Sequence, residues 1–124
     1  ARPASAAYRR YLFAVTGGAR PDRAATGPED PAFDRFVRAQ QTWDRAFACA
    51  IAAALDECPG ALVVGIVGRG HLEYGYGTPD QLAHLGIGPV RVALRGGDPA
   101  IGGAPVADLV FDAAEEEPVP APAG

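Results

Sequence analysis

The sequence predicts an α/β fold in which a parallel sheet is flanked by helices and joined to a small helical subdomain, the whole forming part of a larger domain. Two observations carry this. Three short apolar runs, ALVVGIV (61–67), PVRVALR (89–95) and VADLVFD (106–112), read as buried strands rich in branched residues. Between the first two lies TPDQLAHLG, a short helix, and strand, helix, strand with brief connections implies parallel pairing.

The elements follow in order. SAAYRRYLFAV (5–15) places Tyr8, Tyr11, Leu12 and Val15 at helical spacing. TGGARPDRAATGPED is a loop by its Gly, Pro and polar content. Asp30-Pro31 then opens a long helix, an N-cap acid before a proline at the first helical position, which runs to about Glu57 and stops at Cys58-Pro59-Gly60. At 100° per residue its apolar stripe holds Phe33, Phe36, Val37, Trp43, Phe47, Ile51 and Leu55. Gln40 and Asp44 break that stripe. A buried carboxylate without partners costs several kcal/mol, so Asp44 must be paired or face a polar cavity. In the short helix Thr78 is the expected cap, Pro79 the first helical residue, Gln81 the far side of a capping box and Gly86 the stop. GGDPAIGGAP is a loop, and the terminal AEEEPVPAPAG is expected to be disordered. The chain divides into a helical part (1–60), an α/β part (61–114) and this tail (115–124).

Composition narrows the function. The chain has 124 residues, 48% of them hydrophobic, which is globular rather than disordered. All eleven basic residues are Arg, and Lys, Asn and Met are absent, as in proteins from GC-rich genomes. The net charge is −4, from +3 over residues 1–45 and −7 over the rest. With no basic stripe interleaved with aromatics, this balance argues against nucleic acid. No apolar run reaches the roughly 18 residues that span a bilayer. Cys49 and Cys58 cannot pair within one helix and fall short of a zinc motif, so both are read as packing residues.

The chemistry gathers in GRGHLEYGYGTP (68–79), directly after the first expected strand, where α/β proteins place ligand sites. Gly68-Arg69-Gly70 begins a dinucleotide pattern, but Glu73 stands where the third glycine belongs and would repel a pyrophosphate. A catalytic zinc wants three protein ligands; His71, with Glu73 or Asp44 beside it, is a thin set, and His84 belongs to the short helix. Phenolate and imidazole are both competent axial ligands for haem iron, which brings in Tyr74, Tyr76 and His71, with Arg69 as a cation for the propionates. The same residues also have plain structural roles. His71 reads equally as a loop anchor, Tyr74 and Tyr76 as covers over the sheet, Trp43 as core, Gln40 and Asp44 as ties between helix and loop, and His84 as an exposed side chain.

AQQTWDRAFA (39–48) followed by LVVGIVGRGHLEYGYGTPDQLAHLG (62–86) resembles the ChaN-like haem-binding uptake family of the wider Tiki/TraB/erythromycin-esterase-like superfamily. The resemblance rests on Ala39, Gln40, Trp43 and Asp44, on Gly68, Gly70 and His71, and on Gly77 and Pro79, and covers about residues 36 to 94. It implies a parallel α/β sheet with a helical subdomain and a haem-binding role in bacterial iron acquisition. It also implies a membrane-anchored or periplasmic place in the cell envelope, a possible homodimer with haem at the subunit interface, and outer-membrane haem uptake machinery as a partner. Tyr74 or Tyr76 is the implied iron ligand; His71 and Arg69 are the implied propionate contacts, on a loop shaped by Gly68 and Gly70. Gln40, Trp43, Asp44 and Glu73 support them, with no catalytic residue and no protein-bound metal. The superfamily's upstream Gly-Glu-x-His loop is absent, so the chain is expected to be the C-terminal part of such a protein. Lysine, a common propionate partner, is missing, and Phe47 replaces a methionine of the helix motif. Two rival expectations stand beside the haem module: a metal-dependent hydrolase using His71, and an inert structural fragment.

Overall fold

The computed structural model describes residues 1–18, 25–96, 100–101 and 104–112. The expected acidic tail and parts of both Gly/Pro loops lie outside these residues. Helix α1 spans Ala6–Thr16. The side chain of Ser5 accepts the Tyr8 amide at 3.1 Å, and Gly17 (φ 59) closes the helix in the left-handed conformation that suits glycine. Asp30 caps a turn of 3₁₀ helix, Pro31–Phe33, by accepting the Ala32 amide at 2.9 Å. Helix α2 continues from it over Asp34–Glu57, and α3 covers Thr78–His84. The strands are short: β1 Ala93–Arg95, β2 Ala100–Ile101, β3 Ala104–Pro105 and β4 Leu109–Phe111. The architecture is mixed α/β, helices with a small parallel two-stranded sheet.

The parallel pairing is between β1 and β4, in the register Ala93↔Leu109, Leu94↔Val110 and Arg95↔Phe111. Among the described residues the connection between them carries no helix; it holds the antiparallel β2–β3 pair inside what reads as a loop. The ALVVGIV run forms no ladder and is not buried on both faces. Leu62 is 90%, Val64 73% and Ile66 95% exposed, while Val63 and Val67 are half-buried. Gly65 lies against Ile51 of α2, where a Cβ would come within 3.0 Å of the Ile51 side chain. One face therefore packs on the helix, and among the described residues no strand comes alongside to take its backbone groups. An apolar run marks a tendency to bury; a ladder needs a partner, which the run itself cannot name.

Three smaller expectations change. The buried line of α2 runs through Phe33, Val37, Asp44 and Ala48, so the stripe is rotated from its apolar reading and Trp43 falls at its edge, 60% exposed. Cys49 and Cys58 are free and exposed rather than packed. Thr78 does not cap α3: Gly77 occupies the N-cap and makes no side-chain bond, and the Thr78 hydroxyl is buried without a protein partner among the described residues. Gln81 does not form a capping box either. Its amide instead holds the backbone of Arg2, accepting its N–H at 3.1 Å and donating to its carbonyl at 3.0 Å.

Two apolar clusters form the core. Tyr8, Leu12, Ala25, Phe33 and Val37 make the first; Val92, Leu94 and Val106 make the second. The loop at 68–77 bridges them. Tyr76 packs against the first, Leu72 and Tyr74 against the second, and the Tyr74 amide donates to the Val106 carbonyl at 2.8 Å.

Candidate functional site

The loop is two 3₁₀ turns, Arg69–His71 and Glu73–Gly75. Tyr74 sits at φ 58, ψ 17, a left-handed conformation uncommon for an aromatic residue, and this turn sets its ring beside that of Tyr76. Gly77 follows at φ 63, ψ −121. A Cβ there would lie 2.7 Å from the His71 carbonyl, 2.8 Å from Asp44 Oδ1 and 3.0 Å from the Tyr8 hydroxyl. Only glycine lets the chain cross the carboxylate this closely. Gly68 and Gly70, the glycines expected to shape the site, have ordinary room for a side chain.

Asp44 is the centre. It is fully buried on the inner face of α2. Its Oδ1 is 2.7 Å from His71 Nδ1, and its Oδ2 accepts the Tyr8 hydroxyl at 2.7 Å. Taken as a carboxylate, Asp44 accepts at both oxygens and His71 donates from Nδ1. Burial pushes the Asp44 carboxyl above its usual range, against the two hydrogen bonds, which pull it down. Gln40 Nε2 lies 3.0 Å from His71 Nδ1 and 3.3 Å from Nε2. Near-equal distances to both ring nitrogens place the amide over the face of the imidazole, not in line with either lone pair. Phe47 meets the ring edge-on at 5.2 Å, and Trp43 stacks on Phe47 at 5.7 Å. His71 is thus fixed on three sides, and its Nε2 has no in-plane partner among the described residues.

All four tyrosines of the chain meet beside this group. Ring centroids lie 5.7 Å apart for Tyr8–Tyr76, 5.8 Å for Tyr11–Tyr74, and 5.9 Å for both Tyr11–Tyr76 and Tyr74–Tyr76. Tyr11 donates to Glu73, whose other oxygen takes the Arg69 guanidinium. Arg69 also reaches the Gly96 carbonyl at 3.3 Å, tying the loop to the end of β1. Burial first, and then the carboxylate partner, pushes both Tyr8 and Tyr11 well above the ordinary phenol value of 10.0. Both stay protonated and committed to their acceptors. The Tyr76 hydroxyl has no hydrogen-bond partner among the described residues.

The structure therefore brings together His71, Asp44, Gln40, Arg69, Glu73, Tyr74 and Tyr76, with Trp43 at the rim, and leaves His84 exposed elsewhere. Tyr8 and Tyr11 were missed by the sequence reading, which placed them at helical spacing in α1 and gave them no further role. The available signal was their type: tyrosine where phenylalanine would fill the space brings hydroxyls that need partners. Among the described residues no group of three His, Cys, Asp or Glu side chains converges to hold a metal ion. A porphyrin asks for different groups, and the donor set suits them. There is a phenol with no acceptor among the described residues, an oriented imidazole, a half-exposed guanidinium, and an exposed aromatic shelf of Trp43 on Phe47.

A family model described as "Haem-binding uptake, Tiki superfamily, ChaN" matches residues 1–82, about two thirds of the chain, so the chain belongs to that family. The match takes in α1, which the resemblance over residues 36 to 94 left out, and so covers Tyr8 and Tyr11 as well as the loop. No curated protein and no solved structure matches the chain.

Proposed function

We propose that this member of the haem-binding uptake family binds haem at the 68–77 loop, with the phenolate of Tyr76 on ferric iron. One observation carries the choice of ligand: of the residues clustered there, Tyr8 and Tyr11 spend their hydroxyls on Asp44 and Glu73, while Tyr76 does not. Trp43 and Phe47 offer one apolar wall to the ring. Arg69 turns to a propionate by leaving Glu73; the guanidinium is 46% exposed, and half-exposed pairs of this kind are worth about 1 kcal/mol or less. His71 meets the second propionate through Nε2. The haem supplies the iron and the acidic ring edge; the chain supplies orientation and cover.

Haem titration followed by absorbance on wild type, Tyr74→Phe and Tyr76→Phe tests this. Saturable binding at micromolar or better, about −8 kcal/mol, is expected. The phenolate charge-transfer band should vanish in Tyr76→Phe and persist in Tyr74→Phe. Weak, non-saturable binding indifferent to both changes removes the haem function. Because the described residues offer a single wall, a second copy closing on the ring is part of this proposal, in a bacterial cell envelope beside outer-membrane uptake machinery. A sedimentation coefficient unchanged by haem removes the dimer.

A second reading is favoured by the Asp44–His71 contact of 2.7 Å. An imidazole oriented by a buried carboxylate, with Nε2 outward, is the arrangement of a general base, which supports a hydrolase. Hydrolysis of a chromogenic ester that is lost in His71→Gln, by protein that takes up no haem, selects it.

A further inference from the structure

The fold gathers every tyrosine of the chain into one contact group, and the haem reading uses only one of them. The inner two are unlike ordinary core phenols. Tyr8 is 4% exposed and donates to a carboxylate that is itself fully buried. Tyr11, part-buried, donates to Glu73. Tyr74 and Tyr76 form the outer pair, each within 5.9 Å of an inner ring. A phenol that loses an electron becomes a very strong acid, so the hole is held best where a base already accepts the proton through a hydrogen bond. Both inner phenols have that base in place. The two bases differ. Glu73 is part-buried and gives its other oxygen to the Arg69 guanidinium, whereas Asp44 is fully buried and its other oxygen meets His71.

We propose that the tyrosine cluster is a one-electron relay, in which an oxidising equivalent received at Tyr76 passes inward and settles on Tyr8 as a neutral phenoxyl radical. The oxidant is an outer-sphere one-electron acceptor, of which an oxidised iron porphyrin is one. The first step takes an electron from Tyr76 to the oxidant and releases the Tyr76 phenol proton to solvent water. The second takes an electron from the Tyr8 ring to the Tyr76 ring, 5.7 Å between centroids, and breaks the Tyr8 O–H bond. The proton crosses the existing 2.7 Å hydrogen bond to Asp44 Oδ2, forming a carboxylic acid. Tyr76 is left reduced and takes its proton back from solvent water. An electron from a reductant later reverses the second step, and the proton returns to Tyr8. Tyr8 is thus the resting place of the hole, Asp44 its proton acceptor and Tyr76 the residue through which charge arrives. The relay draws an oxidising equivalent away from the exposed loop into a site that soluble molecules do not reach. It does not depend on haem binding.

The test uses ruthenium(III) tris-bipyridine, generated by flash-quench, as the oxidant, with the full chain in a Trp43→Phe background that removes the exposed indole. Radicals are trapped and read by electron paramagnetic resonance. A neutral tyrosyl radical is expected that forms more slowly in deuterated water and survives added ascorbate. Tyr8→Phe should abolish the ascorbate-resistant species, and Tyr76→Phe should slow its appearance. A radical quenched by ascorbate as fast as in the urea-unfolded chain overturns the proposal without any substitution in the cluster. So does a folded Tyr8→Phe protein, by circular dichroism, with unchanged radical yield and lifetime. Where Tyr8→Phe does not fold, the comparison of folded and unfolded parent chains decides alone.

Discussion

Gly77→Ala tests the packing of the site most directly, because its effect is set by three close approaches. The added Cβ would lie 2.7 Å from the His71 carbonyl, 2.8 Å from Asp44 Oδ1 and 3.0 Å from the Tyr8 hydroxyl. Two of these belong to buried groups fixed by 2.7 Å hydrogen bonds, so neither gives way freely. The backbone at φ 63, ψ −121 is open to glycine alone, and an alanine held there costs about 1–3 kcal/mol. Overpacking adds about 1–3 kcal/mol. The sum, about 2–6 kcal/mol, is a large share of the 5–15 kcal/mol that holds a domain together. Gly75→Ala is the matched control. Its φ is also positive, at 71, but a Cβ there meets nothing within 4 Å, so only the backbone cost of about 1–2 kcal/mol applies. Urea unfolding of the two variants and the parent supplies the numbers. If Gly77→Ala loses no more than Gly75→Ala, the crossing of the loop over Asp44 does not exist as described.

Two further perturbations act on the same group. Asp44→Asn replaces two acceptor oxygens by one, so either the Tyr8 hydroxyl or the His71 Nδ1–H loses its acceptor, at about 1–3 kcal/mol in urea unfolding; an unchanged midpoint would show that neither bond matters to stability. Alkaline pH acts on Tyr8 and Tyr11. Their folded values lie above the unfolded value of 10.0, so their contribution is complete below pH 10 and is lost as pH rises towards the folded values. The urea midpoint should therefore fall between pH 9 and 11, and fall less in Tyr8→Phe, whereas equal falls in both proteins would place the effect elsewhere.

Much of the site was legible because its residues violate local pattern. Gln40 and Asp44 interrupt an apolar stripe, and Asp44 proved to be fully buried with two partners, as a carboxylate in that position must be. The glycine-rich loop after an apolar run announced a place where the backbone turns and polar groups collect, and His71, Glu73, Tyr74 and Tyr76 all lie there. What stayed hidden were the contributions of α1. Tyr8 and Tyr11 satisfy helical spacing, so nothing local separates a core phenol from one that binds a carboxylate 36 or 62 positions away.

The sequence by itself determined the helices, the Asp30 cap, and the glycine-rich loop at 68–77, because spacing and capping act between residues a few positions apart. Only the tertiary structure decided which strands pair, that the run at 61–67 stands without a ladder, that Trp43 faces outward, and that Gly77 rather than Gly68 or Gly70 is the glycine the site requires. Those outcomes depend on what arrives from distant parts of the chain, and a hydrogen-bond partner or a steric approach at 2.7 Å leaves no mark in the residues on either side of it.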